Sequence, residues 1–229
     1  MLALPVEVAP RPVVVVGDED YRPLTYLDAG RPSGLDVEIA EALGPLLGRA
    51  VQIELMDWQV AQAKVRSGEA DVLLGISVTE ERRGAFDFTS AVFEHEFGLF
   101  FRTGELTPLE GLAGRRVGVT RAGYPRTVLE RTSGVTVVLV DGYRDGFDRL
   151  RAGGIDAFAC DLWVGMETLR SSHLSGIVTS GQPIARQPYG LAVRKGNLAL
   201  LEARDGKGRS RGSPRAGGPG RWCSRRASR

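Results

Sequence analysis

Cysteine is scarce in this chain, which contains only Cys160 and Cys223 among its 229 residues. Two cysteines this far apart give neither the paired spacing of a zinc site nor a disulfide framework. Cys160 directly follows an apolar run at residues 157–159. A free cysteine in such a position behaves as a small apolar side chain, so we expect Cys160 to be buried.

Long hydrophobic runs are also absent. A membrane-spanning helix needs about 18 or more consecutive apolar residues, and the sequence contains no such segment. The N-terminal segment has no charged start, and its apolar residues are interrupted by Pro5, Glu7, Pro10, Arg11 and Pro12. No intact export signal is therefore visible in the sequence.

Histidine is rare too, because only His95 and His173 are present. A Ser-His-Asp triad has few candidates, and the sequence contains neither a G-x-S-x-G elbow nor a G-x-x-x-x-G-K-[ST] loop. The segment Glu94-His95-Glu96 offers metal-ligating side chains, but alternate residues of a strand face opposite sides of a sheet. We interpret it as a solvent-facing strand and predict no metal, no cofactor and no enzymatic activity.

The nearly even charge balance conceals two different regions. Residues 204–229 include nine basic residues and one acid, a net charge of +8, whereas the whole chain carries +2. The other residues therefore carry −6, which argues against a nucleic-acid-binding surface there. Two interpretations of 204–229 stay open. It is either a natural, disordered basic tail or the product of a reading-frame change near Ala203, where the apolar periodicity stops within a helix.

Strand and helix patterns alternate along the chain, which predicts an α/β fold with mostly parallel strands. Residues 13–16 form the first predicted strand, and a helix is predicted to open at Gly34-Leu35-Asp36 and to run through about Leu47, with Gly48 as its stop. Further strands are predicted over residues 51–55, 72–74, 116–120 and 135–140, and further helices over residues 59–67, 125–132 and 162–170.

The segment 68–89 holds the most informative pattern of the sequence. An apolar run ends at Gly75, Ser77 and Thr79 follow, and Arg82 comes three residues after Thr79. A guanidinium forms a two-pronged, charge-assisted pair with a carboxylate, and hydroxyl groups add donors. The turn therefore suits the binding of a small carboxylate. The alternative is an ordinary helix start, with Thr79 as N-cap and Arg82 in solvent.

The chain also contains a weak internal repeat. Residues 65–71 and 150–156 both place a glycine and an aspartate between a helix and an apolar run. A polar residue follows each run, Ser77 in the first copy and Asp161 in the second. Open parallel sheets bind ligands at the carboxyl ends of their strands, so the repeat predicts two similar lobes with polar groups at that edge. Chance recurrence of helix-glycine-strand turns is the alternative.

Two extended segments, 97–101 and 189–193, are predicted to join the lobes. We place lobe 1 at residues 1–100, with 190–203 returning to it, and lobe 2 at residues 101–189. A chain that crosses out once and back once makes a two-lobed clamp with a double-strand hinge.

Five segments in order resemble one known family. They are residues 17–24, 34–40, 71–89, 116–119 and 156–161. Over residues 13–202 the chain resembles the type 2 periplasmic solute-binding proteins, the bacterial extracellular solute-binding protein family 3, in particular the amino-acid-binding branch. The resemblance implies the periplasmic-binding-protein type 2 fold, a Venus flytrap whose two α/β lobes close on a small solute.

The resemblance also implies roles for individual residues. Arg82 would bind the α-carboxylate of the ligand with help from Ser77, and Asp161 would bind the α-ammonium group. Tyr21 would stack on the ligand, and Trp58 would line its side-chain pocket. The complete predicted ligand-binding set is Arg82, Ser77, Asp161, Tyr21, Trp58, Gly75, Gly123 and Tyr124.

The second lobe departs from the family pattern. The family usually places a glycine followed by serine or threonine near the helix start, but residues 120–125 read TRAGYP. The backbone N–H groups of Gly123 and Tyr124 are the available substitutes, since Pro125 has none. This variant is similar to flytrap domains that serve as sensory inputs. For Asp161, the alternative to ligand binding is to cap the helix that follows it.

Three functions follow from the resemblance. The first is to bind an amino acid or related carboxylate as the substrate-binding component of an ABC-type uptake system. The second is a ligand-sensing input domain of a membrane-bound histidine kinase or diguanylate cyclase, here truncated. The third, remote, is a cyclohexadienyl dehydratase, whose glutamate after the second-lobe aspartate is replaced here by Leu162-Trp163-Val164.

The resemblance further implies where the protein acts and with what. We expect a monomer in the periplasm or otherwise outside the cytoplasm. Its partners would be the small-molecule ligand and an ABC permease or a signalling module, with no nucleic acid.

Overall fold

The computed structural model describes residues 10–197 and 200–201, so the expectations for residues 204–229 and for the start of the chain lie outside the described residues. The strands are β1 Val13–Asp18, β2 Asp20–Tyr21, β3 Thr25–Asp28, β4 Arg31–Ser33, β5 Val51–Met56, β6 Val72–Ser77, β7 Phe86–Phe88, β8 Phe93–Arg102, β9 Arg116–Thr120, β10 Thr136–Val140, β11 Ala157–Asp161, β12 Ile177–Thr179 and β13 Ala185–Arg194. The helices are α1 Leu35–Leu47, α2 Trp58–Ser67, α3 Glu80–Arg83, α4 Pro125–Leu129, α5 Tyr143–Arg151 and α6 Leu162–Ser171, with a 3₁₀ turn at Leu109–Leu112. None of these helices has the length and apolar character needed to cross a membrane.

Ten strands form one curled sheet with a parallel core in each half. In the first half β1 lies between β5 and β6, and all three run parallel. In the second half β9 lies between β10 and β11 with the same arrangement. The long strands β8 and β13 lie antiparallel in the middle and join the halves. The predicted α/β class with two lobes and a double-strand hinge is confirmed.

The hinge lies where β8 and β13 pair with each other. Their register runs from Ala185 opposite Phe97 to Tyr189 opposite Phe93. Beyond this region β8 pairs with β11 of the second lobe, and β13 pairs with β6 of the first. The crossing therefore comes immediately before both segments predicted to join the lobes. The residue boundaries assigned to the lobes stay a prediction.

Helix α1 begins and ends at its predicted residues because glycine flanks both ends. Gly48 has the left-handed φ of 61° and donates its N–H to the carbonyl groups of the last turn, which is the usual way to end a helix. The buried face of α1, with Val37 and Leu43, packs on Val13 and Val15 of β1. Burial of each such side chain contributes about 1.5–3 kcal/mol, so this face fixes α1 on the first lobe.

The second lobe has a separate aromatic core. Phe147 packs edge to face against Phe100 and Phe158, with ring centroids 5.2 and 5.1 Å apart. Cys160 is buried in the same cluster, as predicted. Because each lobe has its own apolar core, the lobes are suited to move as units about β8 and β13.

The internal repeat corresponds to the same arrangement of hydrogen bonds in each lobe. Asp71 accepts a hydrogen bond of 2.9 Å from the backbone N–H of Val14 and pairs with both guanidinium nitrogens of Arg11 at 2.6 and 2.8 Å. Asp156 accepts bonds of 2.8 Å from the backbone N–H and from Nη2 of Arg116. Each aspartate thereby fixes the start of the neighbouring parallel strand, β1 or β9.

Candidate ligand-binding cleft

A cavity of about 420 Å³ opens between the lobes at the carboxyl ends of their parallel strands. This is the edge at which open parallel sheets bind ligands. The residues of the predicted site that line the cavity are Tyr21, Trp58, Gly75, Ser77, Arg82, Gly123 and Tyr124. Asp161 is the one member of the predicted set that does not line it.

Arg82 connects the two lobes at the cavity. Its Nη1 donates to the carbonyl oxygen of Ser77 at 3.0 Å, and its Nη2 donates to the carbonyl oxygen of Ala122 at 3.2 Å. Thr79 caps α3 by accepting from the backbone N–H of Arg82 at 3.2 Å. The cap predicted as the alternative therefore exists, but the Arg82 side chain is half-buried at the cavity rather than in solvent.

Arg82 keeps its charge at this position. Burial lowers the pKa of Arg82 from its usual value, yet a guanidinium stays protonated at neutral pH. No carboxylate of the described residues lies within ion-pair distance of it; its bonds go to carbonyl oxygens. A carboxylate entering the cavity would replace these neutral acceptors by a charged one, which forms the stronger hydrogen bond.

Gly75 is required by the local geometry of the cleft. It lies within β6, which extends past the predicted end of this strand to Ser77. Its φ of +57° is left-handed, and a Cβ atom there would overlap the Tyr189 hydroxyl and the Asp36 carboxylate. The Tyr189 hydroxyl donates to Asp36 through a short hydrogen bond. Gly75 therefore lets this buried pair lie against the strand beneath the cavity.

Tyr21 and Trp58 supply aromatic surface on the first-lobe side. Trp58 is the first residue of α2, directly after Asp57, whose carboxylate caps that helix. The ring of Tyr21 packs edge to face against Tyr143 of the second lobe, with centroids 5.9 Å apart. Both predicted aromatic residues line the cavity, and Tyr143 is a further one that the sequence did not single out.

Asp161 lies outside the cavity lining and is fully engaged. Its Oδ1 accepts from the backbone N–H of Val164 at 2.8 Å and caps α6. Its Oδ2 lies 3.1 Å from Nδ1 of His95. Burial raises the pKa of Asp161 to about 6. The structure thus shows the capping alternative, and the contact of Asp161 with a ligand ammonium group stays a prediction.

His95 corrects the interpretation of Glu94-His95-Glu96 as a wholly solvent-facing segment. The two glutamates are exposed, whereas His95 faces the opposite side of β8 and is 3% exposed. Its ring stacks on Tyr189 at 3.8 Å, and Nδ1 lies 3.3 Å from the Tyr21 hydroxyl. Burial lowers the pKa of His95 to about 3. The imidazole is therefore neutral at pH 7.

A buried chain of side chains consequently runs through the hinge. It leads from Asp36 in α1 to Tyr189 on β13, then to His95 on β8 and to Asp161 at the start of α6. Side chains that pack across two neighbouring strands are not apparent from sequence spacing. Sequence reasoning therefore missed this connection between the lobes.

The second-lobe turn offers fewer backbone donors than predicted. The N–H of Gly123 donates to the carbonyl oxygen of Thr120 at 3.2 Å, so it is not directed at a ligand in this conformation. The Tyr124 hydroxyl accepts from Nε2 of Gln187 on β13 at 2.7 Å. This bond ties the turn to the hinge strand, and the turn's contribution to ligand binding stays a prediction.

The cavity also contains charged residues that sequence reasoning did not select. They are Asp18, Glu19, Asp20, Asp57, Arg121 and Asp141. Asp18 ends β1, Asp57 directly follows β5, and Asp141 directly follows β10. The rule that singled out Ser77, a polar residue at the end of a parallel strand, therefore also finds these aspartates when it is applied to each strand.

The described residues contain no group of three or more histidine, cysteine, aspartate or glutamate side chains arranged to hold a metal ion. The carboxylates at the cavity are accompanied by Arg82 and Arg121 instead. This arrangement binds charged groups of a small molecule through hydrogen bonds and ion pairs.

The buried carboxyl group of Asp36 gives a testable pH dependence. Burial raises the pKa of Asp36 to about 6, above its value in an unfolded chain, so its stabilising effect is present at low pH and lost as pH rises through 6. Between pH 5 and pH 7 one such group changes the free energy of unfolding by about 1.4 kcal/mol.

We therefore compare the free energy of unfolding of Asp36→Asn with that of the wild type. We expect this difference to favour the variant more at pH 7 than at pH 5. Urea denaturation at both pH values measures the difference, and Asp28→Asn at the exposed end of β3 is the control. Equal effects of Asp36→Asn at the two pH values would show that Asp36 does not titrate in this range.

Comparison with known proteins places the chain in a family. The sequence model of the bacterial extracellular solute-binding proteins, family 3, matches residues 13–206. The L-cystine-binding protein TcyJ of Escherichia coli strain K12 is 28% identical over 204 residues, which cover 86% of this chain and 76% of TcyJ.

Solved structures agree with this match. A histidine kinase sensor domain with similarity to periplasmic binding proteins is 35% identical, with a TM-score of 0.81, over 86% of this chain and 88% of that one. An ancestral arginine-binding protein bound to arginine is 28% identical, with a TM-score of 0.78, over 87% and 96%. The chain belongs to the bacterial extracellular solute-binding proteins, family 3.

Proposed function

We propose that the protein binds one small amino acid or related carboxylate in the cleft, as the substrate-binding component of an ABC-type uptake system outside the cytoplasm. The observation that carries this proposal is the position of Arg82, a charged guanidinium held by carbonyl groups of both lobes. The relatives support it, because TcyJ is a cystine-binding protein and the ancestral protein binds arginine.

The ligand carboxylate would lie against Arg82 and the hydroxyl of Ser77. Tyr21 and Trp58 would form the apolar walls. Because Arg82 extends from the first lobe to Ala122 in the second, a ligand bound there contacts both lobes only when the cleft is closed. Such a ligand shifts the hinge equilibrium towards the closed state.

An ammonium group on the ligand needs an acceptor as well. For Asp161 to supply it, the carboxylate would have to leave His95 and turn towards the cavity, from which it is now absent. The hinge motion is the step at which this exchange would take place. The same motion would let the Gly123 and Tyr124 turn approach the ligand.

A sensory input domain is the second candidate function. It is favoured by the match to a histidine kinase sensor domain, at 35% identity and a TM-score of 0.81. The two candidates share the binding step and differ in the partner, a permease or a signalling module. Permease and ATPase genes beside this gene would support uptake, whereas a membrane span and kinase domain in the same reading frame would support sensing.

The dehydratase alternative finds no support in the cleft. Glu167 is the first acidic residue after Asp161 in the sequence. It pairs with Arg170 at 2.7 and 2.8 Å on α6 and does not line the cavity. Incubation of the protein with prephenate or arogenate is expected to give no turnover.

We also propose that the protein acts as a monomer.

A thermal-shift screen with the common amino acids tests the proposed function. A ligand at a hundredfold excess over its Kd adds about 2.7 kcal/mol to the free energy of unfolding. For a protein of this size such a gain raises Tm by about 5–10 °C. We expect at least one amino acid to give this shift. No shift with any of them would contradict the proposal.

A further inference from the structure

A second cavity of about 410 Å³, the outer cavity, lies beside the hinge. Its walls come from the first residues of β8, the start of α6 and the turn that follows β12. No residue of its lining is shared with the interlobe cleft. Small-molecule sites have volumes of about 300–1,000 Å³, so the outer cavity is large enough to hold a ligand of its own.

His95 separates the two cavities and has one ring nitrogen without a partner. Its Nδ1 lies 3.1 Å from Oδ2 of Asp161 and 3.3 Å from the hydroxyl of Tyr21, which lines the cleft. His95 itself lines the outer cavity and not the cleft, so the ring edge away from Tyr21 is the one on the outer side. The nitrogen on that edge, Nε2, has no hydrogen-bond partner among the described residues, although His95 is only 3% exposed.

The hydrogen bonding of His95 determines what kind of atom would pair with Nε2. Burial lowers the pKa of His95 to about 3, so the imidazole is neutral at pH 7 and carries one N–H. That N–H is on Nδ1, where the Asp161 carboxylate accepts it. Nε2 is therefore a hydrogen-bond acceptor. A buried acceptor without a partner is costly, so the matching ligand atom is a donor.

The charges around the outer cavity favour a donor with a positive charge. Three carboxyl groups line it, those of Glu94, Glu96 and Asp161, and the described lining contains no lysine or arginine. Glu96 pairs with Arg186 at 2.8 Å, whereas Glu94 is exposed beside the cavity. An ammonium group would be attracted to these carboxylates, and an anion would be repelled.

Two aromatic rings and a thioether form the apolar wall. The rings of Phe93 and Trp163 meet edge to face, with centroids 6.0 Å apart and an angle of 68° between their planes. Trp163 is 51% exposed, and Met166, one turn further along α6, is 57% exposed. Aromatic faces attract ammonium groups, and methionine adapts its shape to apolar ligands. The wall therefore suits an apolar body attached to a cation.

We propose that the outer cavity is a second ligand site, which binds a small organic amine. The ammonium group lies at His95 and Asp161, and the apolar body of the ligand packs against Phe93, Trp163 and Met166. This site is separate from the interlobe cleft, and the inference does not depend on the proposed function.

NMR of the full chain with methyl-¹³C-labelled methionine tests the proposal. We expect 2-phenylethylamine to shift the methyl signal of Met166 at pH 7 and to leave that of Met56, in the core of the first lobe, unchanged. 2-Phenylethanol has the same ring without the charge and should bind at least tenfold more weakly. 3-Phenylpropionate, an anion, should bind most weakly. Equal affinities of the amine and the alcohol would overturn the cation site.

Two pairs of variants locate the bound amine. Trp163→Ala is expected to weaken binding of 2-phenylethylamine at least tenfold, whereas Leu106→Ala, at a residue that is 54% exposed elsewhere, should not change it. Glu94→Gln should weaken amine binding about threefold and leave binding of the alcohol unchanged, and Glu110→Gln is its exposed control. Trp163 and Glu94 are exposed, so an unchanged Tm should show that both variants fold. Full amine affinity in Trp163→Ala would overturn the proposal.

The imidazole nitrogens give a direct readout of the contact with His95. The chain contains only two histidines, His95 and His173. In ¹⁵N NMR of the labelled imidazoles, 2-phenylethylamine is expected to move the Nε2 signal of His95, which gains a donor, and not that of His173. An unmoved His95 signal at saturating amine would overturn the proposed position of the ammonium group.

These outcomes are distinct from those of the proposed function. Binding of an amino acid in the cleft, with no shift of Met166 by 2-phenylethylamine, would overturn the outer site and leave the proposed function intact. A shift of Met166 by the amine, with no amino acid bound in the cleft, would support the outer site and contradict the proposed function.

Discussion

Arg82→Ala is expected to weaken binding of the ligand by at least about 100-fold. Removal of one partner from a buried, hydrogen-bonded charge pair costs about 2–5 kcal/mol, and the guanidinium fork makes two charge-assisted bonds to a carboxylate at once. The loss includes the contact with Ala122 that joins the lobes. Isothermal titration calorimetry with the amino acid that gives the largest thermal shift measures the change.

Two further variants separate the role of Arg82 from a general effect of charge. Arg83→Ala removes the neighbouring guanidinium, which is exposed and pairs with Glu80 at 3.3 Å; it is expected to change affinity by less than a factor of two. Arg82→Lys keeps the charge but loses the planar fork, so its affinity should lie between those of Arg82→Ala and the wild type. Equal affinities of Arg82→Ala and Arg83→Ala would contradict a carboxylate site at Arg82.

Gly75→Ala is expected to lower the free energy of unfolding by about 2–4 kcal/mol. The left-handed φ of +57° costs an alanine about 1 kcal/mol. The added methyl group would also displace the Tyr189 hydroxyl from Asp36, and a buried carboxylate without its donor costs about 1–3 kcal/mol more. Urea denaturation at pH 7 measures the total.

Gly48→Ala is a matched control for this change. Gly48 has a similar φ of +61°, but no atom lies within 4 Å of the position of its added Cβ. It should therefore show the backbone cost alone, about 1 kcal/mol. Equal losses in the two variants would mean that the contact of Gly75 with Tyr189 and Asp36 adds nothing to stability.

Local patterns in the sequence were sufficient for most of the fold. The bounds of α1 followed from Gly34 and Gly48, and β9 was predicted at its observed residues, 116–120. These signals are local. A left-handed glycine after the last turn ends a helix without help from distant residues, and an apolar run bounded by polar residues forms a buried strand. The order of strands and helices then determined the two lobes.

The cleft was predictable to the extent that it depends on strand ends. Ser77 ends β6 and Arg82 lies in the short helix α3 that follows it, so their position at the cavity could be inferred from the chain itself. Asp18 ends β1 in the same way, and Asp57 and Asp141 directly follow β5 and β10.

Contacts between distant residues could not be predicted. The contact of His95 with Asp161 joins residues 66 positions apart, at 3.1 Å, and it depends on the antiparallel pairing of β8 with β11. Sequence alternation showed that His95 and the flanking glutamates face opposite sides of a strand. It could not show that the histidine side is covered by Tyr189 of the other hinge strand.

A crystal structure of the complex with the amino acid that gives the largest thermal shift tests the central claim most directly. The account predicts the ligand between the lobes, with its carboxylate oxygens about 2.7–2.9 Å from the Arg82 guanidinium. A ligand bound instead in the outer cavity of about 410 Å³, beside Phe93, Trp163 and Met166, would contradict it.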